Sequence, residues 1–197
     1  MSRGDFPEAS KIIIVGEASV GKTSILDRWL HNSYSIDTAP TIGAGMSPVQ
    51  IEIDGERHQF HVWDTAGTPQ YRSVTPMYCR KASVALIVFD ITNSESFEKV
   101  PEWVKFVRES ASPVFVLIGN KTDMCDEREV TRESGERAAA EIDCEYVETS
   151  AKTNEGMNNF SRAVVEAARA SLTLGIAPVG GKRQIMLTIQ EDRGCPC

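Results

Sequence analysis

The segment Gly16-Glu17-Ala18-Ser19-Val20-Gly21-Lys22-Thr23 constrains this chain more than any other. It follows a short β-branched run, Ile12 to Val15, and opens a stretch, Val20 to His31, with apolar residues at three- and four-residue spacing. A strand, a tight loop and a helix in that order place main-chain N–H groups at a helix start, where the dipole favours negative charge. The loop reads as a phosphate cradle, and a glycine turn with a solvated lysine is the plainer alternative. In the cradle reading Lys22 reaches β- and γ-phosphates, and Thr23 ligates Mg²⁺ through its hydroxyl. Gly16, Ala18, Ser19, Val20 and Gly21, with Ser24 beyond the lysine, complete the expected nucleotide contacts.

The rest of the chain repeats this alternation. Apolar runs occur at Lys11 to Gly16, Val49 to Ile53, Gln59 to Asp64, Ser83 to Asp90, Pro113 to Gly119 and Glu145 to Glu148. The central ones are apolar on both faces, as buried parallel strands are. Helical spacing recurs at Ser94 to Glu109, Thr131 to Ile142 and Glu155 to Leu172, with a shorter helix expected after Pro69. Asp54-Gly55 between alternating segments is a hairpin signal, so the pair from about Pro48 to Asp64 is expected to be antiparallel. The expected fold is three-layer α/β: six strands, mostly parallel with one antiparallel strand, and helices on both faces. The domain is expected over residues 11–174, after a short flexible N-terminus (1–10) and before a flexible tail (175–197) broken by Gly175, Pro178, Gly180 and Gly181.

Composition narrows the partners. With 28 acidic residues against 21 Lys plus Arg the net charge is -7, which gives no footprint for nucleic acid. Met1 to Ser10 lacks a basic flank and apolar run, and no apolar stretch approaches the roughly 20 residues of a bilayer span, so a cytoplasmic protein is expected. Five cysteines without framework spacing predict free thiols, with Cys79, Cys125 and Cys144 buried. His31, His58 and His61 make no ligand set, since His58 and His61 fall on opposite faces of one strand. Glu127 to Glu129 and Arg132 to Glu136 read as a solvated face.

Two further segments close strands at the same expected edge. Asp64 is placed to hold Mg²⁺ through water, and Gly67, just beyond it, allows its amide close to a γ-phosphate. Asn120-Lys121-Thr122-Asp123 follows the strand Val114 to Ile118. A carboxylate at Asp123 can accept bonds from both N1 and the exocyclic amino group of guanine, donors that adenine lacks there. Asn120 would brace loops or contact the base edge, and the Lys121 stem would cover one ring face. Ser150-Ala151-Lys152 after the last strand could bring the Ala151 amide to the guanine O6.

These elements in this order resemble the Ras superfamily of small GTPases, which have the P-loop GTPase fold. Thr41-Ile42-Gly43, Tyr71-Arg72-Ser73-Val74-Thr75, Tyr78-Cys79-Arg80-Lys81-Ala82 and Ile87-Val88-Phe89-Asp90-Ile91-Thr92 resemble segments of the Rab branch. The resemblance implies that Thr41 contacts Mg²⁺ and the γ-phosphate only in the GTP state. It implies a second switch beginning at Gly67 and loss of both ordered loops when GTP becomes GDP. Effectors would read the switches together with Met46, Trp63 and Tyr78, for which simple core packing of Trp63 and Tyr78 is the alternative. An exchange factor and an activating protein would act at the same switches.

The resemblance also places a departure. Thr68 stands where related GTPases carry a glutamine that orients the attacking water; it is shorter and β-branched, so slow hydrolysis is expected. Of the expected catalytic set Lys22, Thr41, Gly67 and Thr68, the last is impaired. Gln70 could swing inward, or an activator could supply a glutamine in trans. Cys195-Pro196-Cys197 resembles the Rab double-cysteine ending, geranylgeranylated on both thiols by a transferase acting with an escort protein. A metal-binding pair or incidental thiols are the alternatives there. The resemblance thus implies a monomeric vesicle-traffic switch that binds GTP or GDP with Mg²⁺. It would cycle onto the cytosolic face of endomembranes through two lipids and leave with a GDP-state extraction factor. The alternatives are a mostly GTP-loaded binding module set by exchange or degradation, and a phosphotransferase.

Overall fold

Ile12 and Ile14 turn to one face of strand β1 (Ser10–Val15), Ile13 and Val15 to the other, and all four are buried. This is the two-faced burial of a central strand. The computed structural model describes residues 9–37, 39–71 and 74–176. Six strands form one sheet in the order β2-β3-β1-β4-β5-β6. Strands β2 (Ala44–Ile53) and β3 (Glu56–Thr65) pair antiparallel; β3, β1, β4 (Val84–Asp90), β5 (Val114–Asn120) and β6 (Glu145–Thr149) run parallel.

Two cores lie on opposite faces. On one, α1 (Lys22–His31) and α6 (Met157–Thr173) bury Ile25, Trp29, Phe160 and Val164 against Ile12, Phe60 and Leu86. Trp29 meets Phe160 edge to face, centroids 5.5 Å apart, which fixes α1 against α6. On the other, α4 (Val100–Arg108) and α5 (Arg132–Ile142) cover Ile13, Ile87 and Leu117 with Trp103, Val107 and Ala139. Each of the Ile, Leu, Val and Phe side chains among these, moved out of water, contributes about 1.5 to 3 kcal/mol before chain entropy is set against it.

Several boundaries differ from the sequence reading. The stretch Ser94 to Glu109 is two helices, α3 (Ser94–Glu98) and α4, with Lys99 between them. Pro101 in the first turn of α4 has no N–H to continue the α3 ladder. The hairpin is longer than the apolar pattern shows, because the unburied edge residues from Ala44 to Pro48 still pair in register, Ala44 opposite Thr65 and Ile53 opposite Glu56. After Pro69 a 3₁₀ turn (Pro69–Tyr71) precedes α2 (Thr75–Cys79). Cys79 is buried, whereas Cys125 is exposed, because Thr122–Glu127 forms a surface 3₁₀ helix with no buried residue. Arg128 is no solvated charge: its Nη1 and Nη2 donate to the two carboxylate oxygens of Glu148 at 2.8 and 3.0 Å, tying the segment before α5 to β6.

Parallel order points the carboxyl ends of β1, β4, β5 and β6 to one edge, and the loops carrying the sequence motifs gather there. Residues 177–197, with Cys195 and Cys197, and the short expected N-terminus lie outside the described residues, apart from its last two positions.

Candidate functional site

A cleft of about 470 Å³ runs along this edge, lined at one end by Gly21, Lys22, Thr23 and Thr41 and at the other by Asn120, Asp123 and Ala151. Its phosphate end is set by backbone geometry. Gly21 precedes α1 at φ 93°, a left-handed conformation suited to glycine, and no side chain caps the helix. The N–H groups of the first turn are therefore left for an external acceptor. Lys22 is only 6% exposed, and its Nζ donates to the main-chain oxygens of Gly16 at 2.9 Å and Glu17 at 2.6 Å. Burial pushes its pKa down to about 8, with the Asp64 and Glu17 charges opposing the shift.

Three oxygens meet beside the lysine. The Thr23 hydroxyl donates to Asp64 Oδ2 at 2.6 Å, the Thr41 hydroxyl lies 3.0 Å from that of Thr23, and Thr41 reaches the same carboxylate oxygen at 3.4 Å. Asp64 is buried, which raises its pKa against the Thr23 hydrogen bond and the Lys22 charge, and its Oδ1 has no partner among the described residues. An unsatisfied buried carboxylate oxygen next to two hydroxyls is the hard-oxygen environment that Mg²⁺ takes. These residues fit that ion, and Thr23, Thr41 and Asp64 would hold it.

At the other end, buried Asn120 joins three loops. Its Nδ2 donates to the Val20 carbonyl at 2.9 Å, and its Oδ1 accepts from the Thr149 hydroxyl at 3.2 Å and from Ala151 N–H at 3.4 Å. Lys121, left-handed at φ 71°, lays its Nζ on Asp90 Oδ2 at 2.5 Å, so its stem is fixed along the cleft wall. Asp123 Oδ1 accepts from Ser150 Oγ at 2.6 Å, and Lys152 Nζ stands 3.4 Å from Oδ2. Both carboxylate oxygens are thus held in place.

Between the two ends lies the loop after β3. Gly67 is buried, and a Cβ there would strike the backbone of Gly16 and Glu17, so only glycine brings this loop onto the phosphate loop. Thr68 lines the cleft, and its Oγ1 is buried with no partner among the described residues. Gln70 is exposed. Met46, 48% exposed, sits opposite Trp63 in the β2–β3 pair, and Trp63 stacks at a tilt on Tyr78 with centroids 5.8 Å apart. Both rings are half-buried.

Some cleft residues carried no sequence signal. Tyr34, Ser35, Ile36, Ala39 and Pro40 line it from an irregular segment without periodicity, and Met124 from the 3₁₀ helix Thr122–Glu127. Glu17 accepts from the Trp103 indole at 3.0 Å, and Arg28 reaches the Ala151 carbonyl from 123 positions away. Asp90, by contrast, could have been found, since it ends a strand at the ligand edge as Asp64 does.

The Ras family model matches residues 11–170. The Ras-related protein Rab-8A of Gallus gallus is 35% identical over 188 residues, covering 93% of this chain and 91% of the relative. Rab-8A of Rattus norvegicus and of Mus musculus are each 32% identical over the same shares. With the phosphate loop, the threonine and aspartate corner and the Asn120–Asp123 segment gathered on one sheet edge, these matches show that the chain belongs to the Ras family of GTP-binding small GTPases.

Proposed function

We propose that this Rab-like switch turns over GTP slowly by itself and relies on a partner to complete hydrolysis. The observation that carries the reading is Thr68: a short hydroxyl, buried in the cleft wall without a partner among the described residues, stands directly after the Gly67 that lies against the phosphate loop. A threonine there is too short to orient an in-line water, and Gln70 is turned to solvent. Thr23, Thr41 and Asp64 would hold Mg²⁺, which would supply positive charge against the charge that develops on the phosphates. Lys22 and the amides of Ala18, Ser19, Val20 and Gly21 hold the phosphates. Asp123 selects guanine, with Asn120, Lys121, Ser150, Ala151 and Lys152 shaping its pocket. Thr41 and Gly67 respond to the γ-phosphate.

Single-turnover GTP cleavage by the purified protein tests the reading. Thr68→Gln is expected to cleave at least about tenfold faster. Equal rates would remove Thr68 from control of the reaction.

The same proposal covers the partners: an exchange factor, an activating protein and vesicle-traffic effectors at the switches and at Met46, Trp63 and Tyr78. No described helix is long and apolar enough to cross a membrane. Attachment to endomembranes is assigned to geranylgeranyl groups on Cys195 and Cys197, added by a transferase with its escort and shielded by a GDP-state extraction factor. The impaired position also favours a second reading, a mostly GTP-loaded binding module governed by exchange or degradation. Nucleotide recovered from protein isolated in its native cells separates the two: mostly GDP supports the cycling enzyme.

A further inference from the structure

Arg28 spends its guanidinium on two loops at once. Its Nε donates to the Ala151 carbonyl at 2.8 Å and its Nη2 to the Lys152 carbonyl at 3.1 Å. Its Nη1 donates to the Asn32 carbonyl at 3.0 Å and to Asn32 Oδ1 at 3.2 Å. Asn32 is the left-handed end of α1 at φ 49°, and two residues later Tyr34 lines the cleft. Ala151 and Lys152 line the same cleft. A planar fork of five donors can fasten both segments in fixed geometry, which a single ammonium cannot.

The base loop is therefore held from two sides. Asn120 holds it from within, through the Ala151 N–H, and Arg28 from without, through the next two carbonyls. Because peptide units are planar, those two bonds fix the Ala151–Lys152 and Lys152–Thr153 units, and the Ala151 N–H, in the unit just before them, is held by Asn120 Oδ1. Asp123 follows β5 and meets this turn through side chains, the Ser150 hydroxyl and the Lys152 ammonium, and not through the carbonyls that Arg28 holds.

We propose that Arg28 is a positioning residue that clasps the loop after α1 to the base loop, setting the rate of nucleotide release and the recognition of the base at position 6. This rests on the reading that the Ala151 amide faces the guanine O6. Arg28 touches neither base nor phosphate; it acts through the two loops.

The test uses the full chain loaded with GDP and Mg²⁺. Arg28→Ala is expected to release GDP about tenfold faster, the scale of a lost charge-assisted hydrogen bond. Two analogues separate positioning from general loosening: 6-thio-GDP changes only the group at position 6, and IDP lacks only the amino group that Asp123 would read. In the variant the preference for GDP over 6-thio-GDP shrinks toward one, while the preference over IDP, read by a carboxylate that meets this turn through side chains, shrinks less. Arg28→Lys, which keeps charge and stem but cannot span both loops, gives the same selective loss should the alanine variant fail to fold. An unchanged release rate, or both preferences shrinking by the same factor, would overturn the proposal. Wild-type protein that binds 6-thio-GDP as tightly as GDP would overturn the base-loop reading itself, and the proposal with it.

Discussion

Thr23 and Asp64, 41 positions apart, meet through a 2.6 Å hydrogen bond that joins the first turn of α1 to β3. Thr41, from the loop between α1 and β2, closes on the same pair. The three oxygens come from three elements, so a cation here fastens the loop containing Thr41 to the sheet. Asp64→Asn keeps the shape and removes the charge. We expect its nucleotide complex to lose at least about tenfold in Mg²⁺ affinity, so that GDP release with Mg²⁺ approaches the rate seen with a chelator. Release that keeps its wild-type dependence on Mg²⁺ would take Asp64 out of the cation's surroundings.

Gly67 allows a test that separates the two nucleotides. Its Cα lies so near the Gly16 and Glu17 backbone that Gly67→Ala must push the loop after β3 outward. Only the γ-phosphate extends to that loop in the proposed site. GTP affinity is therefore expected to fall about tenfold or more, the scale of a lost charge-assisted bond, while GDP affinity changes by less than about threefold. Equal losses for both nucleotides, measured by equilibrium titration, would mean that Gly67 acts through the phosphate loop alone.

Legibility in the sequence followed periodicity and charge. Strands β1, β4 and β5 could be read because burial on both faces makes them continuously apolar, and the loop from Gly16 to Thr23 because its glycines and lysine have few other uses together. The part of β2 from Ala44 to Pro48 could not, since an edge strand needs backbone pairing but little apolar surface. Glu127 to Glu129 looked like one solvated patch, yet Arg128 pairs with Glu148 and Glu129 Oε2 accepts from Ser94 N–H at the start of α3. Charge alone does not reveal a partner 20 or 35 positions away. Tyr34 and Ile36 enter the cleft from a segment with no repeat to read, the connection between α1 and β2.

Attachment to membranes is predicted to need both terminal thiols. The tail carries Lys182, Arg183 and Arg193 against Glu191 and Asp192, too little positive charge to add to one lipid. Each buried methylene adds about 0.8 kcal/mol, but a single chain gives only reversible binding. Cys195→Ser and Cys197→Ser alone are expected to shift the protein largely to the soluble fraction of cells, and the double variant wholly so. A double variant still found with membranes on fractionation would overturn lipid attachment at these positions.

Lys22 makes nucleotide affinity depend on pH in a direction that burial dictates. Burial holds its pKa in the free protein down at about 8, below the usual lysine value of 10.5. Between those values the unfolded chain holds more protons than the folded one, so in this window the nucleotide-free protein gains stability as pH rises. The cost of the buried ammonium is fully present below about 8. Phosphate reverses the preference, because it favours the charged lysine and draws a proton onto it. GDP affinity should accordingly fall above about pH 8, by at most tenfold per pH unit, and calorimetry in buffers of different ionisation enthalpy should show proton uptake on binding. Lys22→Arg stays charged throughout and is expected to lose this slope even if it binds more weakly. A wild-type slope that persists in Lys22→Arg would place the titrating group elsewhere in the site.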